Sequence, residues 1–308
     1  MDETLAALEV VAATTGGLLT HRSLVAAGLS MHDISRLVRS RGLVRVRRDT
    51  YRLPTSDADP LVDFRTVVRS VLARADPPIL GGAAALVLHR LPVFGRPTTV
   101  HLCDEHRGGR AARGLTTTVA MPPRDQLAEV DGLLVSGPAR AALDTARLHS
   151  LTAGVVAADA ALRRGTTSLP ELEAVVATMG GLHGVGRARL TCRLASPLSE
   201  SSGESWSAVV MHQHGIPAPT RQEVFYDAQG FIGRVDFWWP TARVVGEFDG
   251  RVKYGRTNPS RRPPEDVLWD EKLREDRLRR SSQALVRWTA ADLHRPAEWI
   301  QRLTRALR

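Results

Sequence analysis

Residues 1–55 show apolar positions first at helical spacing and then at strand spacing. Ser30 is followed three residues later by an acid, which is the pattern of a helix N-cap, and Ile34, Leu37 and Val38 then share one helix face. Two shorter apolar runs precede this helix, and the segment LVRVRRDTYRLP at 43–54 contains two runs of β-formers about a polar turn. The pattern therefore predicts three helices followed by a β-hairpin.

Three helices with a basic hairpin are typical of a winged helix-turn-helix, in which the third helix enters the DNA major groove and the wing contacts phosphate. Several arginines lie on the outward face of the third helix and in the hairpin: Arg36, Arg39, Arg45, Arg47 and Arg48. We expect them to contact DNA. A small helical domain with an ordinary charged surface, or a docking surface for a partner protein, are the alternatives.

The middle region, 56–198, has a mixed α/β pattern. Helical spacing appears at 63–75, 82–90, 138–149, 152–164 and 168–178, and strand-like runs appear at 98–103 and 115–121. The glycine-rich segment 180–186 neither follows a strand nor carries the Lys-Ser/Thr of a phosphate-binding loop, so we expect an ordinary loop there.

The last region, 199–308, predicts the order α-β-β-β-α-β with a final helix from about Pro296. The helices are expected at 201–214 and 265–280, and the strands at 222–227, 231–238, 243–249 and 284–288. This order implies a hairpin-rich mixed sheet flanked by helices, so the whole chain is expected to be an α+β protein of three domains.

Composition adds one expectation about partners, because the chain is strongly basic. Lys and Arg exceed Asp and Glu by 42 to 33, and a basic balance favours a polyanion such as nucleic acid. The two cysteines are isolated, which indicates neither a zinc ribbon nor a disulfide framework. The acidic start of the chain and the lack of a long uncharged apolar run predict a cytoplasmic protein.

Three carboxylates in the last region predict a metal site. Asp236 lies late in one expected strand, and Glu247 and Asp249 end the next strand at i and i+2, on the same sheet face. If those strands are neighbours, the acids meet at one end of the sheet, where a divalent cation would offset their repulsion. Mg²⁺ (or Mn²⁺) bound by such oxygens can activate water for phosphodiester hydrolysis.

Each acid also has a simpler interpretation. Glu204 fits a capping box at the start of its helix. Asp249 with Gly250 fits a tight turn, and Asp236 fits a single ion pair with a nearby arginine. The metal site depends on the acids acting together.

With D-x₁₀-E-x-D spread over its second and third strands, this region resembles the PD-(D/E)XK nuclease superfamily. The segments GRVDFWWPTARVVGEFDG and VLWDEKLREDRLRR are similar to the branch related to very-short-patch-repair endonucleases. The N-terminal segments LTHRSLVAAGLS and LVRVRRDTYRLP, together with the middle region, resemble AbiEi-type antitoxins of type IV toxin–antitoxin systems.

The resemblance implies a role for each acid. Asp236 would be the metal ligand of the second strand, Glu247 the acid that opens the third-strand motif, and Glu204 the acid of the first helix that completes the site. Where the superfamily pattern has a lysine, this chain has Asp249. Lys253 or Lys272 could supply that positive charge from elsewhere, and an inactive nuclease fold is equally consistent with the departure.

A basic segment that follows the acids, with Arg251, Lys253 and Arg256, is expected to contact DNA, with a solvated loop as the alternative. The leading hypothesis is a Mg²⁺-dependent DNA endonuclease directed by the winged helix. The alternative is an AbiEi-type antitoxin or transcriptional regulator whose nuclease-like domain is inactive. DNA is the expected partner, and a homodimer and a cognate toxin are further candidates.

Overall fold

The computed structural model describes residues 2–15, 17–47, 49–54, 60–73, 78–104, 116–250 and 264–308. Helices and strands are mixed throughout these ranges, and the strands form sheets of three, five and four strands. The expected α+β class is therefore confirmed. Within the same ranges, no helix has the length and apolar character needed to cross a bilayer.

The N-terminal unit has three helices and a three-stranded antiparallel sheet in the order β1-β3-β2. Its elements are α1 (Asp2–Thr14), β1 (Leu19–Thr20), α2 (His21–Ala26), α3 (Met31–Arg39), β2 (Val44–Arg47) and β3 (Thr50–Arg52). Ser30 caps α3 through a reciprocal capping box with Asp33, as the sequence predicts. Leu8, Leu24 and Ile34 are buried in the core that joins the helices to the sheet.

The middle region packs helices against a mixed five-stranded sheet in the order β6-β5-β4-β8-β7. Its strands are β4 (Leu80–Gly81), β5 (Val100–Asp104), β6 (Thr116–Ala120), β7 (Leu127–Val130) and β8 (Leu133–Ser136). Its helices are α4 (Pro60–Leu72), α5 (Gly82–Leu88), α6 (Pro138–Leu148), α7 (Leu151–Arg163), α8 (Leu169–Ala177) and α9 (Val185–Leu194).

The middle region differs from the sequence prediction in three places. The sequence pattern missed the two-residue strand β4 and the hairpin of β7 and β8. The loop predicted at 180–186 is confirmed only as far as Gly184, because α9 begins at Val185.

The C-terminal region has the predicted order α-β-β-β-α-β, with one additional short helix before the last one. Its elements are α10 (Ser202–Gln213), β9 (Thr220–Asp227), β10 (Gly230–Trp239), β11 (Val244–Asp249), α11 (Pro264–Ser281), β12 (Ala284–Thr289), α12 (Ala290–His294) and α13 (Ala297–Ala306). The sheet order is β12-β11-β10-β9, parallel between β11 and β12 and antiparallel elsewhere.

This sheet separates two apolar cores. On one face Trp288 stacks between Phe237 and Trp299, in a core shared with α10 and α13. On the other face Val245 packs near Leu278 of α11. Because successive residues of a strand point to opposite faces, Glu247 shares the α11 face with Val245.

Candidate acidic site and nucleic-acid surface

Asp236 is fixed by the neighbouring strands. It lies one residue beyond the backbone pair Phe237–Gly246, and its Oδ2 accepts a hydrogen bond from the backbone N–H of Phe248 at 2.9 Å. Its Oδ1 accepts a longer bond, 3.4 Å, from the side-chain amide of Gln222. The carboxylate therefore links β10 to both adjacent strands.

Glu204 is bound by the residues around the start of α10. Its Oε1 accepts from Ser201 Oγ at 2.7 Å, and its Oε2 accepts from the Glu200 backbone N–H at 2.9 Å. Ser201 Oγ in turn accepts from the Glu204 backbone N–H at 3.2 Å. The side chain therefore binds the start of α10, but through the N–H of Glu200 and not through the N–H of Ser201 that the predicted capping box requires.

Gln222 connects these two acids, and the sequence analysis did not identify it as a site residue. Its amide donates to Glu204 Oε2 at 2.9 Å as well as to Asp236. Its φ is +57°, in the left-handed region that a non-glycine residue rarely adopts. A residue keeps this conformation only where the surrounding contacts stabilise it. At Gln222 those contacts include the hydrogen bonds from its amide to the two carboxylates.

Glu247 is bound by two arginines instead. Arg274 on α11 donates to Oε1 at 2.7 Å, and Arg287 on β12 donates to Oε2 at 2.9 Å. The glutamate side chain is only 13% exposed. Each oxygen of this nearly buried carboxylate therefore faces a guanidinium group.

Glu275 extends this ion-pair network along α11. Arg287 also contacts Glu275, at 2.7 Å. A hydrogen bond from Arg279 is the main cause that lowers the pKa of Glu275, and burial opposes it. The network therefore joins α11 to β11 and β12 through charged side chains.

The predicted site residues are thus divided between two groups. Glu204 and Asp236 are joined through Gln222, whereas Glu247 is joined to α11 and β12. Asp249 lies at the end of β11, level with Thr289 of β12. In the described ranges, no group of three or more His, Cys, Asp and Glu side chains is arranged to hold a metal ion.

The positively charged candidates near the acids are only partly described. Lys272 lies on the exposed surface of α11. Lys253, Arg251 and Arg256 fall outside the described residues, so the structure does not test their predicted roles.

A buried ion pair ties the acidic region to the middle region. Asp159 of α7 is fully buried and accepts hydrogen bonds from the Ser196 backbone N–H and from Ser205 Oγ, both at 2.8 Å. Arg221, next to Gln222, lies 3.7 Å from the same carboxylate and donates to Ser199 Oγ. Burial raises the pKa of Asp159 and lowers the pKa of Arg221.

The N-terminal arginines lie on an exposed surface as predicted. Arg36 and Arg39 project from α3 on the side opposite Ile34, and Arg45 is exposed on β2. Arg36 makes an exposed ion pair with Asp33 at 2.7 Å. Arg47 ends β2 opposite Thr50, and Arg48 lies outside the described residues.

Two proteins of Mycobacterium tuberculosis are similar to this chain. Uncharacterized protein Rv2248 (strain ATCC 25618 / H37Rv) and Uncharacterized protein MT2308 (strain CDC 1551 / Oshkosh) are each 30% identical to it over 194 residues. The match covers 58% of this chain and 71% of each relative. The chain belongs to their family.

Comparison with family models and with solved structures identifies no further relationship for this chain. No family model matches the chain. The crystal structure of the RV2827C protein from Mycobacterium tuberculosis is 18% identical, with a TM-score of 0.35, over 73% of this chain and 89% of that one. At that TM-score the likeness carries no inference about fold or function.

The residues that sequence reasoning missed here are Gln222, Arg274 and Arg287. Only Arg274 left a signal, because it lies within the segment VLWDEKLREDRLRR that carries the nuclease resemblance. Chemically, the arrangement offers one bridged pair of acids and one acid paired with arginines.

Proposed function

We propose that this chain is a DNA-binding regulator of the AbiEi-antitoxin type, and that its nuclease-like C-terminal domain serves as a scaffold. The observation that carries this proposal is the pairing of Glu247 with Arg274 and Arg287. The metal-site hypothesis rests on crowded carboxylates that need a cation. Around Glu247, two guanidinium groups already supply that positive charge.

The charges around the acids support the scaffold over the metal site. A divalent ion near Glu247 would have to displace, or lie beside, two fixed positive charges within hydrogen-bond distance of its carboxylate. Glu204 already accepts hydrogen bonds on both of its oxygens. Asp236 likewise accepts a hydrogen bond on each oxygen, so a Mg²⁺ ion, which usually takes one or two carboxylates with water and phosphate, would have to displace existing bonds at three of the four acids.

DNA binding is proposed for the N-terminal unit, which we interpret as a winged helix. Its third helix, α3, has a polar outer face with two exposed arginines, and a basic hairpin follows it. The Arg36–Asp33 ion pair does not oppose this role, because an exposed pair contributes only about 0–1 kcal/mol. Phosphate contact can replace it.

Fluorescence anisotropy with duplex DNA upstream of the chain's own gene tests this proposal. We expect binding that persists in EDTA and that weakens in the double variant Arg36→Ala/Arg39→Ala. If both side chains contact phosphate, the slope of log K against log salt should fall by about 2. A matched control is Arg189→Ala/Arg305→Ala, which removes the same charge from exposed positions elsewhere. Equal loss in both double variants would contradict the proposal.

The antitoxin part of the proposal concerns partners. It implies a cognate toxin, and a self-associated form that binds a two-fold symmetric DNA site. Light scattering at several concentrations, alone and with duplex DNA, measures self-association. A mass that stays monomeric in both conditions would remove the homodimer from the proposal.

A second candidate function is Mg²⁺-dependent DNA cleavage. It is favoured by the α-β-β-β-α-β order and by the position of Asp236, next to the pair Phe237–Gly246, where β10 meets the strand that carries Glu247. Nicking of supercoiled plasmid with Mg²⁺ or Mn²⁺ tests it. Cleavage that is lost in Asp236→Asn but kept in Glu298→Gln, an exposed control, would replace the scaffold proposal with this one.

A further inference from the structure

The middle region contains a cavity that the DNA-binding proposal does not use. It lies between the start of α5, the segment before β5 and the end of α6, and its volume is about 240 Å³. Five of its lining residues are polar: His101, His149, Thr98, Thr99 and Thr145. Polar groups on three different segments therefore surround one space.

Two glycines leave room beside the imidazole rings. Gly82 has a φ of +52°, and a Cβ there would lie 3.5 Å from His101 Nδ1 and 3.9 Å from Thr145 Oγ1. Gly95 has a φ of +85°, and a Cβ there would lie 3.2 Å from His149 Nε2. Both positions are in the left-handed conformation that glycine adopts readily, and without a Cβ neither residue fills the space beside the two ring nitrogens.

The ring of His101, which lines this cavity, has one nitrogen that makes no hydrogen bond to the described residues. Its Nδ1 is buried and has no hydrogen-bond partner within the described ranges. Burial lowers the pKa of His101 to about 4, so the ring is neutral near pH 7. Buried polar atoms almost always have a partner, so this unpaired nitrogen next to a cavity is a hydrogen-bonding group that a small shift of the ring would offer to a ligand there.

The charges around the cavity favour an anion as that ligand. Arg140 and Arg147 both bond Asp144, at 2.9 and 2.5 Å, and Asp144 immediately precedes the lining residue Thr145. Arg187 adds a third guanidinium, which donates to the backbone carbonyl of His149 at 3.3 Å. Among these charges Asp144 acts most strongly on His101 and Arg147 opposes it, whereas Arg187 is the charge that acts on His149, so the field favours an anion on the His149 side of the cavity.

We propose that this cavity binds a small molecule with an oxyanion group, a carboxylate or a phosphate, through the imidazoles of His101 and His149. The volume sets the size of the ligand. Engineered cavities of about 150 Å³ hold benzene, and sites for drug-sized ligands begin near about 300 Å³. The cavity therefore fits an anionic group with a few attached carbons and is too small for a nucleotide.

Histidine side-chain NMR of the full chain tests this site. Inorganic phosphate and, separately, acetate are titrated at constant ionic strength held with chloride, while the ¹⁵N shifts of His101 are followed. We expect a saturable shift with at least one of the two probes. Saturation by phosphate alone would assign a phosphate group to the ligand, and saturation by acetate alone would assign a carboxylate. Saturation by both probes would show that the site recognises the oxyanion chemistry that they share. Shifts that stay linear, or that chloride reproduces, would overturn the proposal.

Variants separate binding from folding. His149 is exposed at the cavity mouth, so His149→Ala should fold normally and bind the saturating probe about two- to ten-fold more weakly, as expected for one lost hydrogen bond. His101→Leu should abolish saturable binding. His214→Ala removes an exposed histidine at the end of α10 and should leave affinity unchanged. Unchanged affinity in both His149→Ala and His101→Leu would refute the site.

Discussion

Replacing the arginines beside Glu247 should expose how strongly they stabilise the C-terminal domain. Glu247 is 13% exposed, and Arg274 and Arg287 are 25% and 32% exposed. Exposed ion pairs contribute about 0–1 kcal/mol, whereas breaking a fully buried pair costs about 3–5 kcal/mol. These pairs lie between the limits, so Arg287→Met should lower the free energy of unfolding by about 1–2 kcal/mol. The double variant Arg274→Met/Arg287→Met should lose about 3 kcal/mol, because the carboxylate then has neither partner.

Urea unfolding followed by tryptophan fluorescence measures this loss, since Trp288 and Trp299 are buried in the adjacent core. Arg305→Met, an exposed arginine on α13, is the control and should change stability by less than about 0.5 kcal/mol. A double-mutant cycle isolates the ion pair: in a Glu247→Gln background, the effect of Arg287→Met should shrink by about 1 kcal/mol. If Arg287→Met lowers the free energy of unfolding equally with Glu or with Gln at position 247, the claim that the Glu247–Arg287 ion pair stabilises the domain is refuted.

Three further predictions concern packing and charge. Gly246→Ala should destabilise the domain by about 1–3 kcal/mol in urea unfolding, because the new Cβ would lie 2.8 Å from Trp288. The control Gly186→Ala on α9, which has open space around it, should be neutral or stabilising. A neutral Gly246→Ala would contradict the close packing of Trp288 on Gly246. Asp159→Ala should cost about 3–5 kcal/mol, because it removes a fully buried acceptor and leaves Arg221, which is only 14% exposed, without its ion-pair partner. Adding Arg221→Met should recover part of the loss, and no recovery would show that the pair is unimportant. Hydrogen bonds from Arg277 lower the pKa of Asp227 to about 2, below its unfolded value near 3.8. Its stabilising effect is therefore complete above pH 3.8 and lost as the pH falls towards 2. Unfolding measured across that window should depend less on pH in Asp227→Asn than in the wild type, and an equal dependence would contradict this.

Local patterns predicted most of the secondary structure. The cap predicted at Ser30 identified the start of α3, because a capping box involves only residues three positions apart. The hairpin of β7 and β8 was missed although its signal was present. Asp131 and Gly132 both have positive φ, as a two-residue turn of this kind requires, and an Asp-Gly pair predicts that turn.

The candidate site could be predicted only in part, for a physical reason. The order of helices and strands along the chain, and the positions of Asp236 and Glu247 within their strands, follow from local patterns, so the sequence identified these two acids. Their partners come from far along the chain: Arg287 lies forty residues from Glu247 and reaches it through the parallel pairing of β11 and β12. Side-chain partners at such separations depend on packing, which no local pattern specifies.

Calorimetric titration of Mn²⁺ into the full wild-type chain tests most directly whether arginines, and not a metal, compensate the acids. We expect no saturable heat at millimolar Mn²⁺, and DNA affinity that is the same with Mn²⁺ and with EDTA. A single saturable site that disappears in Asp236→Asn and persists in Glu298→Gln would contradict the scaffold proposal and establish a metal centre at these carboxylates.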